Sequence, residues 1–233
     1  MPELPEVETI KRNLEKAIVG KKIVGVEVRK TKIFQGNPKE IIGKTIEGIE
    51  RRGKILIVRL SGDKSLLIHF KLTGQLVWVP CSMFHVPCSE VVTLGHPIPF
   101  AESQLPAKTT HVIFEINGGR LFYNDLRQFG WIKVAEIGNW KLEIGNLGPE
   151  PLDFARGKPF ANKEFTVDYL QKIFSKTSKP VKLVLMDQEK IAGIGNIYAN
   201  EALFEAGIMP TRPAKSLVEE EIKKLREAII KVL

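Results

Sequence analysis

Apolar residues at Val7, Ile10, Leu14 and Ile18 recur at helical spacing after Pro5 and predict an amphipathic helix. Gly20 ends it, with Lys16, Lys21 and Lys22 near its carbonyl end. From Ile23 the period changes to two. Val24, Val26 and Val28 alternate with Gly25, Glu27 and Arg29, the pattern of a strand. Further strands are predicted over 46–49, 55–60, 65–70, 75–79, 110–116, 120–124 and 131–135. Ser61-Gly62-Asp63-Lys64 supplies one turn, and Asn117-Gly118-Gly119 supplies a tight hairpin turn. Short strands joined by turns indicate an antiparallel sandwich or barrel.

The pattern lapses between Pro80 and Pro106. Val79-Pro80-Cys81-Ser82 recurs there as Val86-Pro87-Cys88-Ser89. Cys81, His85, Cys88 and His96 are zinc-ligating types, but their spacing is not that of a finger, so a surface loop is the reading. Residues 138–159 are rich in Gly and Pro and read as a linker. Helical periodicity follows. Val167, Leu170, Ile173 and Phe174 define one helix, Pro180 opens a second running to about Met186, and 196–206 makes a third. Ser216 with Glu219 reads as a capping box for a last helix carrying Val218, Ile222, Leu225 and Ile229. The expected class is α+β: a β domain over 1–137, a linker over 138–159 and a helical domain over 160–233.

Composition narrows the possible partners. With 35 Lys+Arg against 27 Asp+Glu the net charge is +8, which points to a polyanion such as nucleic acid. No apolar run reaches the length of a membrane span, and the charged, proline-bearing start is not a signal peptide. Two cysteines do not make a disulfide framework. An intracellular soluble chain is the default.

Met1-Pro2-Glu3-Leu4-Pro5-Glu6 carries the first candidate chemistry. Trimming of Met1 leaves Pro2 with a free secondary amine. An α-amino group titrates near about 7.7–8.0, so a useful fraction is neutral and nucleophilic at pH 7. Glu3 and Glu6 supply carboxylates within one helical turn. The plainer reading is a helix start, with prolines and glutamates suited to its N-terminus. Gly193-Ile194-Gly195-Asn196 lies between two helices, where amides at a helix start can hold a phosphate. Lys176, Lys179 and Lys182 stand upstream; they equally suit a solvated face. Asp125 to Gly130 follows a strand. Phe129 can wedge against a base while Arg127 takes the acceptors of the orphaned partner. Core packing and a surface ion pair are the alternatives for these two. Lys54 and His69 say little alone.

Four stretches stand in order: Pro2 to Glu8, Arg51-Arg52-Gly53-Lys54, Asp125 to Gly130, and Leu185-Met186-Asp187-Gln188 through Gly193-Ile194-Gly195-Asn196-Ile197-Tyr198-Ala199. Together they resemble the bacterial formamidopyrimidine-DNA glycosylase and endonuclease VIII family over the whole chain. The resemblance implies a β-sandwich followed by a helix–two-turns–helix domain. It implies a base-excision repair enzyme that flips an oxidised purine from duplex DNA, expels it, and cleaves the strand through a Schiff base on Pro2. Glu3 matches the acid and Lys54 the proton donor for β-elimination. His69, Lys182 and Asn196 match phosphate contacts. Leu72, Arg127 and Phe129 match the trio that fills the hole left by the flipped base. Glu6 falls with the lesion pocket, and Tyr198 and Glu201 match residues near the everted nucleotide.

Departures from the family pattern are local, with one exception. Leu72 stands where methionine is usual, and Gln128 where a second arginine is usual. Thr109, just before His111, stands where the family has a DNA-contacting histidine. Thr177 replaces a basic phosphate contact, for which Lys176 or Lys179 would substitute. The exception is the family's four-cysteine zinc finger, expected to be lacking from this chain. No metal is expected within it, and one structural zinc only if a finger follows residue 233. The expected enzyme is monomeric, bacterial and cytoplasmic, with damaged or abasic duplex DNA as partner, no membrane and no redox cofactor. The alternatives are a non-catalytic binder of damaged DNA and a helical half that binds RNA or a protein.

Overall fold

The computed structural model describes residues 2–80, 92–95, 105–136, 144–154 and 159–233. The chain divides into two compact units, Met1–Ile144 and Gly145–Leu233. The cysteine-bearing loop with Cys81, His85, Cys88 and His96 lies outside the described residues.

In the first unit, α1 (Leu4–Ile18) is followed by β1 (Ile23–Val28), β2 (Phe34–Gln35), β3 (Ile46–Arg52), β4 (Ile55–Leu60), β5 (Lys64–His69) and β6 (Gly74–Pro80). Then come β7 (Val92–Gly95), β8 (Thr110–Ile116), β9 (Gly119–Asp125) and β10 (Trp131–Glu136). Two five-stranded sheets result, ordered β1-β8-β9-β6-β7 and β2-β10-β5-β4-β3. The expected antiparallel sandwich forms with one exception, since β2 pairs parallel to β10. That two-residue strand is too short to show a period, and the Ile132 amide secures it on the Ile33 carbonyl at 2.8 Å. Helix α1 packs against β3 and β7, the edge strands of the two sheets. Its buried Val7, Ile10, Leu14 and Ile18 join Ile46, Leu56, Leu76 and Phe114 in one core. A helix there also covers exposed strand edges.

One expected face is corrected. Val24 does not line up with Val26 and Val28; it is half exposed, because the β1–β8 register shifts between Ile23 and Gly25. The extra residue bulges out and re-phases the strand. The Asn117-Gly118 turn does form, with Gly118 at φ +88° between paired Ile116 and Gly119.

The second unit holds α2 (Val167–Ser175), α3 (Val181–Leu185), α4 (Asn196–Ala206) and α5 (Glu219–Val232), packed around Leu170, Phe174, Leu203, Leu225 and Ile229. Part of the tract expected as linker is folded into this unit. Leu152 is buried, β11 (Leu152–Asp153) pairs with β12 (Phe160–Ala161), and the Gly148 amide reaches the Gln188 carbonyl at 3.0 Å. A Cβ on Gly148 would overlap the Lys190 carbonyl. Gly148→Ala is therefore expected to cost roughly 1–3 kcal/mol, read as a lowered melting temperature; an unchanged Tm would show that the contact relaxes freely.

The Ser216–Glu219 capping box does not form. Val218 is the N-cap, and its amide donates to the Glu221 carboxylate at 3.0 Å. Arg212 decides the register. It holds Glu221 through two hydrogen bonds and takes both the hydroxyl and carbonyl of Ser216, removing that hydroxyl from capping.

Candidate active site

Pro2 and Glu3 are buried at the start of α1, Glu3 with 1% of its surface exposed. The Glu3 amide donates to the Glu6 carboxylate at 2.8 Å, so Glu6 fixes the peptide next to Pro2. A helix start thus exists, and it also holds the Pro2 nitrogen and the Glu3 carboxylate in place. Lys54, 7% exposed in the β3–β4 turn, lies close enough to Glu3 to feel its charge. Burial pulls the Lys54 ammonium down to about 8; Glu3 opposes this and Lys71 adds to it. A lysine so poised exchanges its proton near neutral pH.

What positions Lys54 is a buried ion network that the sequence did not announce. Arg51 is 5% exposed; its Nε donates to Glu8 at 3.0 Å and its Nη1 to the Gly53 carbonyl at 3.0 Å. Arg12 reaches the other Glu8 oxygen at 2.9 Å. Helix α1, which carries Pro2 and Glu3, is thereby tied to the turn that carries Lys54. Burial alone would raise the Glu8 pKa, but the Arg12 and Arg51 hydrogen bonds and the nearby cations outweigh it and hold it below 4.5. A depressed carboxylate stabilises the fold above its unfolded value and loses that contribution as pH falls through the folded one. Glu8→Gln is expected to cost about 3–5 kcal/mol, since it removes the buried charge that Arg51 and Arg12 both bond. The variant should also lose part of the acid limb of stability. Urea melts at pH 7 and below 4.5 check both; equal losses for variant and wild type on acidification would remove Glu8 from that limb.

His69 ends β5. Burial, then the charges of Lys71 and Lys54, push its pKa down to about 3, so it is neutral at working pH. Its Nδ1 accepts the Lys71 amide at 3.0 Å, which leaves Nε2 carrying the proton as a donor. Leu72 follows in the same loop, partly exposed. Across from it, Phe129 is 56% exposed and Arg127 stacks 5.8 Å from its ring centroid, so the core-packing alternative for Phe129 is excluded. Thr109 accepts the Asp125 amide through its carbonyl at 3.0 Å. His111 is buried, with Nε2 2.8 Å from the Asp125 carbonyl oxygen.

In the second unit, the glycine turn is clamped by Gln188. Its Nε2 donates to the Met186 and Ile194 carbonyls at 2.8 Å each, and its Oε1 accepts the Gly193 amide at 3.0 Å. Gly193 has φ +97°, a conformation that favours glycine. Gly195 is the N-cap of α4, and Asn196 is exposed at its first position. Glu201 is exposed and Tyr198 half-buried on the same helix; Lys179 is exposed and Lys182 partly so at the start of α3. Among the described residues no cluster of three His, Cys, Asp or Glu could hold a metal, and no helix is long and apolar enough to cross a membrane.

Comparison with known proteins places both halves of the chain in one family. Residues 1–132 match the formamidopyrimidine-DNA glycosylase N-terminal domain and residues 147–233 the H2TH domain of the same enzymes. The chain is 41% identical over 238 residues to the formamidopyrimidine-DNA glycosylase of Carboxydothermus hydrogenoformans, covering all of this chain and 76% of that protein. It is 40% identical over 242 residues to that of Moorella thermoacetica, covering 77% of it. Solved structures of Lactococcus lactis Fpg are similar, one in complex with abasic-site DNA (TM-score 0.80, 31% identity) and one with DNA containing an oxidised pyrimidine (TM-score 0.81, 32% identity). These cover 99% of this chain and 76% and 78% of those chains. The chain belongs to the formamidopyrimidine-DNA glycosylase family.

Proposed function

We propose that this chain excises oxidised purines from duplex DNA and cleaves the resulting abasic site, with Pro2 as nucleophile. The neutral Pro2 amine attacks C1′ of the damaged nucleotide; the base leaves with the C1′–N bond electrons, and the proton given up by the Pro2 nitrogen passes to it. Glu3 protonates the opening sugar ring, giving an iminium between Pro2 and C1′. The iminium acidifies C2′–H; that proton is lost to water, the 3′ phosphate leaves with the C3′–O bond electrons, and Lys54 protonates the departing phosphate. Glu6 holds the peptide beside the nucleophile. His69 through Nε2–H, Lys179, Lys182 and Asn196 take phosphates, and Thr109 stands at the edge of this contact. Leu72, Arg127 and Phe129 fill the vacated stack. Tyr198 and Glu201 face the everted nucleotide. Residues 1–137 act as the catalytic domain and 160–233 as the helical DNA-binding domain. The enzyme acts as a monomer among the cell's soluble DNA-bound proteins, with no redox cofactor, and none of the described residues forms a metal cluster.

The burial of Pro2 and Glu3 beside a lysine titrating near 8 carries the reading. The nucleophile requires that Met1 be absent, because an acylated nitrogen has no free lone pair. Protein shown by mass spectrometry to lack Met1 should be trapped covalently by borohydride on abasic-site DNA, and Pro2→Gly should weaken the adduct. No adduct from the trimmed protein would refute catalysis by this chain and favour a non-catalytic binder.

A further inference from the structure

Asp125 ends β9 completely buried, where an aspartate is rarely found without a reason. Its main chain is pinned by the Thr109 carbonyl, just before β8, and by His111 Nε2 on β8. Its carboxylate then works outward. Oδ2 accepts the Gly130 amide at 2.8 Å, and Oδ1 accepts the Arg127 amide at 3.2 Å. A turn-capping aspartate would stop there. This one also accepts the hydroxyl of Thr73, 52 residues away in sequence, and the same hydroxyl oxygen accepts the Arg127 amide at 3.0 Å. Thr73 adjoins Leu72. One carboxylate therefore bonds both limbs of the proposed wedge: the loop carrying Leu72 and the loop carrying Arg127 and Phe129.

Both limbs contain a residue that needs holding. Lys71 at φ +50° and Gln128 at φ +56° are left-handed without being glycine. Such residues persist where their surroundings over-determine them. Around Asp125 the packing leaves no room for adjustment. A Cβ on Gly130 would overlap the Tyr123 hydroxyl, and one on Gly74 would overlap the Phe70 backbone.

We propose that Asp125 is a positioning residue whose buried carboxylate latches the Leu72 loop to the Arg127–Phe129 loop, so that both enter the duplex as one preformed wedge. The proposal rests on the glycosylase reading above. Preorganisation of this kind lowers the ordering cost that binding must otherwise meet. It matters only where a stack has to be opened and filled. A single strand carrying an abasic site presents no such hole.

The test compares borohydride trapping rates on abasic duplex and on the same abasic strand unpaired, for wild type, Asp125→Asn, Thr73→Val and Thr73→Ser. Asn keeps the shape but turns a donor toward one of the three donors. Asp125→Asn and Thr73→Val should lose about tenfold or more on duplex and stay within about twofold on the single strand, while Thr73→Ser restores the duplex rate. Equal losses on both substrates, or none on either, would overturn the latch. Amide exchange at Arg127 and Gly130 reads the latch without DNA. It should accelerate in Asp125→Asn, and unchanged protection would overturn the proposal even if that variant traps poorly. Phe129→Ala separates the premise: if it leaves duplex trapping intact, the wedge reading fails, while amide exchange still decides the latch.

Discussion

Glu3→Gln is expected to lose base release by about two to four orders of magnitude, the usual reach of a positioned general acid. Glutamine matches glutamate in shape, so the buried site at the start of α1 stays filled and the backbone bond from residue 3 to Glu6 survives. What disappears is a transferable proton. An abasic site has already lost its base and reaches its open aldehyde form unaided, so that substrate should still give a borohydride adduct. The pairing of the two results is the diagnostic. Chromatography of released base from a duplex with one formamidopyrimidine or 8-oxoguanine, beside adduct gels on abasic duplex, measures both. Base release within a few-fold of wild type would remove Glu3 from the acid role.

The second large effect is expected at Lys54. If its protonated form feeds the elimination, strand cleavage declines as pH rises through about 8, where burial has brought its ammonium. Pro2 pulls the other way, because its amine must be neutral, and an α-amino group becomes so above about 7.7–8.0. The two limbs enclose a narrow optimum near 8. Lys54→Ala should slow elimination by about a hundredfold and let the uncleaved Schiff base accumulate. Two variants move the alkaline limb in stated directions. Lys71→Ala removes a like charge, raising the Lys54 pKa and carrying the limb to higher pH. Glu3→Gln removes a supporting charge and carries it lower, read on abasic DNA where base release is not needed. Rapid-quench cleavage rates from pH 6 to 10 decide this. A limb that stays fixed in both variants belongs to another group.

Much of this molecule was legible because its signals are local. Asn117-Gly118 announces its hairpin within two residues, and α4 runs over the predicted 196–206 because Gly195 and Gly207 bracket it. β2 and β7 escaped because strands of two and four residues carry no readable period. Val24 misled because alternation cannot show a bulge whose cause lies on β8. Ser216 misled because its hydroxyl is claimed by Arg212, a competition that pattern reading does not see. The site divides in the same way. Pro2, Glu3 and Lys54 sit in stretches that resemble a family and could be named. Arg51, Asp125 and Gln188 stand in those same stretches, yet their tasks depend on Glu8, Thr73 and Ile194, and only folded geometry brings the first two pairs together.

The strand order also sets a timetable for the nucleophile. β3, β4 and β5 form a meander, and β8 with β9 a hairpin, so both can assemble as soon as they emerge from synthesis. β1 and β2 must wait, since their partners are β8 and β10, far down the chain. Helix α1, made first, gains its full core only when both sheets close around it. These pairings cannot form until their distant partners have been synthesised. A nascent chain can tie α1 to the Lys54 turn through Glu8 and Arg51, but the core that seats the helix is complete only once β8 to β10 have been made. On the proposed function, the full strand-breaking site comes only with the finished fold.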